Sequence, residues 1–327
     1  MPAFLTHYTL AKEILASESY GSLADVFLLG AQGPDPFFYY GQLKKRPNAK
    51  KIRSYGSFLH HTDFVPIYNA MLKIASSSST DKELFFAYIE GLFCHYALDR
   101  FAHPYIFAKS GWSVDGKYKK AFDASHSCLE TYVDILIGKK KGTYRRDLDA
   151  CLAIDEDQLD KISLLWAKAN DAVTKKSYID SMTFATAAKD FRNSVRYLNR
   201  NKWLKRIIVS IVLGKDSNAY AMIYPNRFPS DREHIDYLNT AKRNWRRPFG
   251  DKKDNKSFLE LYEEAQQYFY SLKPILWKAE EGNDVFSELE KVVGLIDHDG
   301  KPIGRKMTHY HVIWPSYYGI PKELMKL

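Results

Sequence analysis

At roughly 150 residues per domain, 327 residues leave room for one large domain or two small ones. A composition of 45% hydrophobic, 15% aromatic and 27% charged residues excludes disordered, collagenous and low-complexity chains. The 48 Lys+Arg outweigh the 39 Asp+Glu, and the formal charge of +9 draws anions such as phosphates, nucleic acid or acidic lipid headgroups.

Cys94, Cys128 and Cys151 form neither a CxxC pair nor an even-numbered framework, which argues against a disulfide scaffold or a thiolate zinc knuckle. Met1 to Leu15 lacks the basic region and apolar stretch of a signal peptide. The longest largely aliphatic run, Ile207 to Leu213, is too short to span a bilayer. The expectation is a cytoplasmic protein without a transmembrane segment.

Apolar residues recur with helical period along most of the chain, so the fold is expected to be all-α. Leu10, Ile14 and Leu15 follow His7 on a first helical face. Ser76 to Ser79 reads as a loop, and Thr80 with Glu83 as a capping box that opens a helix over Leu84 to Leu98. Pro104 is expected to end or kink that helix at His103. A second long helix is expected from about Lys117 to Ile137, with Gly138 as its left-handed cap and Lys139 to Lys141 at its negative dipole end. Further helices are expected at Asp155 to Ala172, Met182 to Leu198, Ser257 to Leu272 and Phe286 to Val293. Asp299-Gly300 predicts a turn, and Gly294 to Gly304 a small hairpin before the Tyr/His/Trp/Pro-rich tail. There is no internal repeat and no clear linker. The expected organisation is a single domain over 1–327, with residues 1–138 carrying the site and a helical extension, 145–327, packed on them.

Six of the 10 histidines (His7, His60, His61, His95, His103, His126) lie in the first 126 residues. His95, Asp99 and His103 stand at i, i+4 and i+8, a drift of about 40° per step that keeps all three on one helix face. His126 and Glu130 repeat the i, i+4 spacing. Either pair alone is an ordinary surface ion pair. Here Leu92, Phe93, Leu98, Phe101 and Ala102 make the surroundings of the first pair apolar, and a buried His/Asp pair needs a reason to stay. Three imidazoles and two carboxylates on neighbouring helices suit zinc or a similar first-row metal.

With these residues in place, the chain resembles the zinc-dependent phospholipase C family, relatives of the single-strand-specific zinc nucleases and of the catalytic part of phospholipase D enzymes that release glycosylphosphatidylinositol anchors. The family's ligand order appears as His7, Asp35 in GPDPFFYY, His60 in FLHHTDF, His95 with Asp99, His103, and His126 with Glu130 followed by TYVD. The resemblance covers about Met1 to Gly138. It implies an all-α fold, two or three Zn2+ ions, and Asp35 as a ligand or as the base that orients the attacking water. His60 is preferred to its neighbour His61 because His60 and Asp63 match the family's His-x-x-Asp pattern. The chain departs from the family in its short Asp99 to His103 gap and in having no amino-terminal Trp. With Met1 removed, Pro2 would stand near the position of the family's terminal amine ligand. The opposing reading is a frayed terminus.

Other residues have plainer readings. Phe37 to Tyr40 are expected in the core rather than in a headgroup pocket. Cys94 and Cys128 read as small core residues, and His234, His298, His309 and His311 as surface or supporting residues. The basic clusters at Lys44 to Arg53, Lys139 to Arg146, Lys202 to Arg206 and Lys242 to Lys253 read as solvated loops and helix ends.

The expected activity is metal-dependent hydrolysis of a phosphodiester, with a phospholipid or other anionic substrate and peripheral contact with a membrane. One alternative is a nuclease, less favoured, with Lys202-Trp203 and Trp245-Arg246-Arg247 stacking bases beside phosphates. The other is a metal-stabilised helical binding protein without turnover.

Overall fold

A computed structural model describes residues 4–111, 119–145, 148–215, 217–225, 235–250 and 252–307. The fold is all-α. Thirteen α-helices are present among the described residues: α1 (Phe4–Ser17), α2 (Ala24–Gly30), α3 (Pro36–Tyr39), α4 (Ala49–His61), α5 (Val65–Ser77), α6 (Lys82–Ser110), α7 (Lys119–Lys140), α8 (Glu156–Val173), α9 (Thr183–Asn199), α10 (Lys202–Val212), α11 (Asn218–Ala221), α12 (Phe258–Glu280) and α13 (Phe286–Val293). The two strands, β1 (Trp245–Arg246) and β2 (Lys253–Asp254), form one short antiparallel pair.

The long helix α6 is the axis of the fold, because it is apolar almost all round and is buried from Leu84 to Asp99. It packs against α1, α2, α5, α7, α8 and α12. One hydrophobic cluster runs from Phe4 to Val293 and includes Trp166, whose indole donates to the Tyr88 hydroxyl at 2.7 Å. Lys273 of α12 is buried between Glu18 (2.6 Å) and Glu90 (2.9 Å), joining the end of α1 and the middle of α6 to the C-terminal helices.

Several local expectations are corrected. The capping box at Thr80 and Glu83 does not form. Ser78 Oγ accepts from the Asp81 amide in a turn, so the helix starts one residue late, with Asp81 as its N-cap and Thr80 bonded to the Asp81 carboxylate. Pro104 does not end α6, which continues to Ser110. Pro104 leaves the Arg100 carbonyl without its helical donor, and Gly300 packs closely against it: a Cβ there would lie 2.2 Å from that oxygen, and its φ is +66°. Gly138 lies inside α7, and the left-handed residue is Gly142; the Gly138 carbonyl accepts from the amides of Thr143 and Tyr144, so the chain turns back only after Lys140.

The expected helices at Asp155, Met182 and Ser257 have those residues as their N-caps, Ser257 in a capping box with Glu260, and the last of them runs past Pro274 to Glu280. The expected hairpin is a single antiparallel bridge, Ile296 with Pro302. All three cysteines are buried thiols, and burial pushes the Cys94 thiol up. Among the described residues no helix is long and apolar enough to cross a membrane.

Candidate metal centre

The geometry of the centre begins with the N-terminus of α1. Its first free amides need acceptors, and Asp134 of α7 supplies them. The Asp134 carboxylate accepts from the Leu5 amide (3.0 Å), the Thr6 amide (2.6 Å) and the hydroxyls of Thr6 and Tyr224. This buried cap fixes α1 against α7 and sets His7, the residue after Thr6, against α6.

His7, 2% exposed, stacks on His95 with ring centroids 4.2 Å apart. The stacking needs Gly33 nearby: its φ is +57°, and a Cβ there would lie 2.2 Å from the His95 ring. Asp35 is not an open loop residue. It immediately precedes α3, its backbone is already helical, and it is fully buried. His60 comes from the last turn of α4, and His95, Asp99 and His103 from three successive turns of α6. His126 and Glu130 come from α7.

All eight side chains converge. Asp99 is the hub: its Oδ1 lies 3.1 Å from His7 Nε2 and 3.6 Å from His103 Nε2, and its Oδ2 lies 2.9 Å from His95 Nε2 and 4.0 Å from His60 Nε2. Asp35 Oδ1 is 3.0 Å from His60 Nε2. At the other end His126 Nε2 is 2.7 Å from Glu130 Oε1, which is 3.9 Å from His103 Nε2. Three sets of residues bring ligand atoms within 4.8 Å of one another: His7, Asp35 and His95; His60, His95 and Asp99; and His103, His126 and Glu130. His103 therefore belongs with His126 and Glu130 despite its short spacing from Asp99.

The ring nitrogens fit a metal. The Nδ1 atoms of His60, His95 and His103 lie 2.8, 3.2 and 2.9 Å from the carbonyls of Gly56, Ala31 and His298. A carbonyl only accepts, so each Nδ1 carries the proton and each Nε2 presents its lone pair to the cluster. Both Asp35 oxygens, Asp99 Oδ2 and the Nε2 atoms of His60, His95 and His103 are buried without a hydrogen bond among the described residues. Buried polar groups left in that condition are costly. A divalent cation is the one small species that nitrogen lone pairs and carboxylates would all accept.

The carboxylates set the electrostatics. Burial raises the Asp99 pKa, but His103, His95 and His7 outweigh it and hold the group well below its usual range. Glu130 behaves likewise: burial is outweighed chiefly by His126, and its pKa falls to about 2. Both stay ionised. Burial lowers His95 and His103, yet Asp99 raises each on balance, whereas His7, buried beside His95, stays lowered.

Two further residues border the cluster, of which the reading of the sequence missed Asp299. His298, expected as a surface or supporting residue, is fully buried and supporting: its amide donates to the His60 carbonyl at 3.1 Å and its carbonyl accepts from His103. Asp299 lies 3.4 Å from His103 Nδ1 and 3.1 Å from Nε2 of His61, whose side chain is 45% exposed. Thus His61 turns away from the cluster. The only signal at this place was the Asp299-Gly300 turn. Phe37 is in the core, while Phe38 packs 5.0 Å from His60 and Phe107 4.8 Å from His126. Pro2, His234, His309 and His311 lie outside the described residues. A small cavity of about 20 Å3, room for about one water, opens beside Thr6, His7, Asp99, His103 and Glu130.

Comparison of the chain with protein-family models, with curated proteins and with solved structures gives no match.

Proposed function

We propose that the protein is a zinc-dependent phosphodiester hydrolase of the phospholipase C type. One observation carries this reading: eight histidines and carboxylates, seven of them buried, converge, and three of the imidazoles are fixed with Nε2 facing the cluster. Bound zinc supplies an activated water and neutralises charge on a phosphate.

The chain's own residues perform the remaining tasks. His7, His60, His95, His103 and His126 with Asp99 and Glu130 hold the ions, Asp99 facing both ends of the cluster. Among the described residues Asp35 has no hydrogen bond on either oxygen, so it can orient a water and accept its proton as the oxygen attacks phosphorus, and pass that proton to the departing alkoxide. The cavity beside the cluster has room for about one water, so it suits the attacking water and leaves the substrate outside, at its mouth. No nucleophilic side chain is required.

The nuclease reading loses one support. Trp245 is 3% exposed and its indole donates to the Lys256 carbonyl, so it offers no face to a base. The test is metal-dependent hydrolysis of a chromogenic phosphodiester, phosphatidylcholine, phosphatidylinositol and single-stranded DNA. Turnover of a lipid or the chromogen, lost with chelator and restored by zinc, is expected. Turnover of DNA alone would favour the nuclease. Metal bound without any turnover would favour a binding protein.

A further inference from the structure

Helix α10 is amphipathic in the reverse sense for a helix on a protein surface. At 100° per residue, Trp203, Leu204, Ile207, Ile208, Ile211 and Val212 share one broad face. That face points outward: Trp203 is 67% exposed, Ile211 78% and Val212 70%. The opposite face turns its cations onto tyrosines of the protein. Lys202 sits over Tyr144 and Tyr224, Lys205 over Tyr197 and Arg206 over Tyr220. No residue of α10 is buried. A large contiguous exposed apolar patch marks an interaction site.

We infer that α10 is a membrane-docking helix whose apolar face inserts into the interface of an anionic lipid surface. Charge selects this occupant. From Phe191 to Lys215 the chain carries Arg192, Arg196, Arg200, Lys202, Lys205, Arg206 and Lys215 with no Asp or Glu. Arg196 and Arg200 both face the single carboxylate of Asp149 and stay half exposed, so the patch is bordered by excess positive charge. Basic residues around an apolar helix face with an exposed Trp are the pattern of helices that lie in the headgroup region.

Size argues against a second copy of the chain as the occupant. An 11-residue helix is about 16 Å long and about 10 Å across, a footprint of a few hundred Å2 at most, short of the about 800 Å2 per partner of a stable interface. Placement gives docking a use. α10 packs on α11, and the Ala221 carbonyl of α11 accepts from Thr131 of α7, the residue next to Glu130. The inference stands apart from the hydrolase reading, since vesicle binding is read without turnover.

The experiment is co-sedimentation of the full chain with vesicles of phosphatidylcholine alone and of phosphatidylcholine with 30% phosphatidylserine, beside the variant Ile208→Glu/Ile211→Glu. Circular dichroism confirms that the variant is folded. The wild type is expected to bind the anionic vesicles at least tenfold better than the neutral ones and to lose binding in high salt, and the variant to lose at least tenfold in partition. Equal partition of wild type and variant, no binding of the wild type to either vesicle, or self-association of the wild type that the variant abolishes would each overturn the inference.

Discussion

Asp299 Oδ1 lies 3.4 Å from Nδ1 of His103, while Nε2 of the same ring lies 3.9 Å from Glu130 in the cluster. A carboxylate behind a ligand imidazole orients the ring and raises its basicity. Asp299 is held in turn by His61, and its own pKa stays low because the His61 hydrogen bond, with His103, outweighs its burial. The segment from Asp297 to Gly300 therefore acts as a strap that joins the C-terminal part of the chain to the centre.

Asp299→Ala is expected to weaken metal binding by 10- to 100-fold, the usual scale for a lost supporting carboxylate. Competition with a chromophoric chelator measures it. The melting temperature of the metal-free variant should stay close to that of the metal-free wild type. An unchanged affinity would leave Asp299 no role in positioning His103.

Asp35→Asn is expected to lower hydrolysis by about a hundredfold or more, as for a lost general base. Its burial changes the argument on stability. A buried carboxylate whose oxygens accept no hydrogen bond among the described residues does not help the metal-free fold, so the chelated variant should melt no lower than the chelated wild type. Equal turnover in the two proteins would remove the role of Asp35 as base.

Lys273→Met leaves Glu90 buried without its cation and is expected to cost about 3 to 5 kcal/mol at neutral pH. Burial already pushes the Glu90 pKa up, and Lys273 offsets only part of this. A carboxyl whose folded pKa lies above its unfolded value favours folding below the unfolded value and loses that advantage as pH rises through the folded one. The loss in the variant should therefore be greatest at pH 7.5 and smaller by more than about 1 kcal/mol at pH 5.5. Chemical denaturation at the two pH values checks this, and an equal loss at both would contradict it.

How much of this was legible follows from distance along the chain. His95, Asp99 and His103 were readable because a helix repeats its face every four residues, and His126 with Glu130 for the same reason. His7, Asp35 and His60 could be gathered only through a resemblance, since no local period joins three separate segments of the chain. Asp299 and Asp134 were not legible as site residues, and His298 only as a surface or supporting one. Their partners, His103, His61 and the first turn of α1, are brought to them by tertiary packing, and the local pattern at Asp299 announced only a turn. Pro104 misled because the one helical bond it removes is outweighed by the burial of α6 on both sides of it. The outward apolar face of α10 was visible as an aliphatic run beside a basic cluster, but its direction depends on which face meets α9 and α11.

His95 belongs to two of the three ligand sets, so the metal content of purified protein after extensive dialysis, measured beside His95→Ala, tests the central claim most directly. The expected result is two or three equivalents of zinc per wild-type chain and a loss of at least one in the variant. No retained zinc in the wild type after loading, or the same content in both proteins, would contradict a metal centre built on His95 and Asp99.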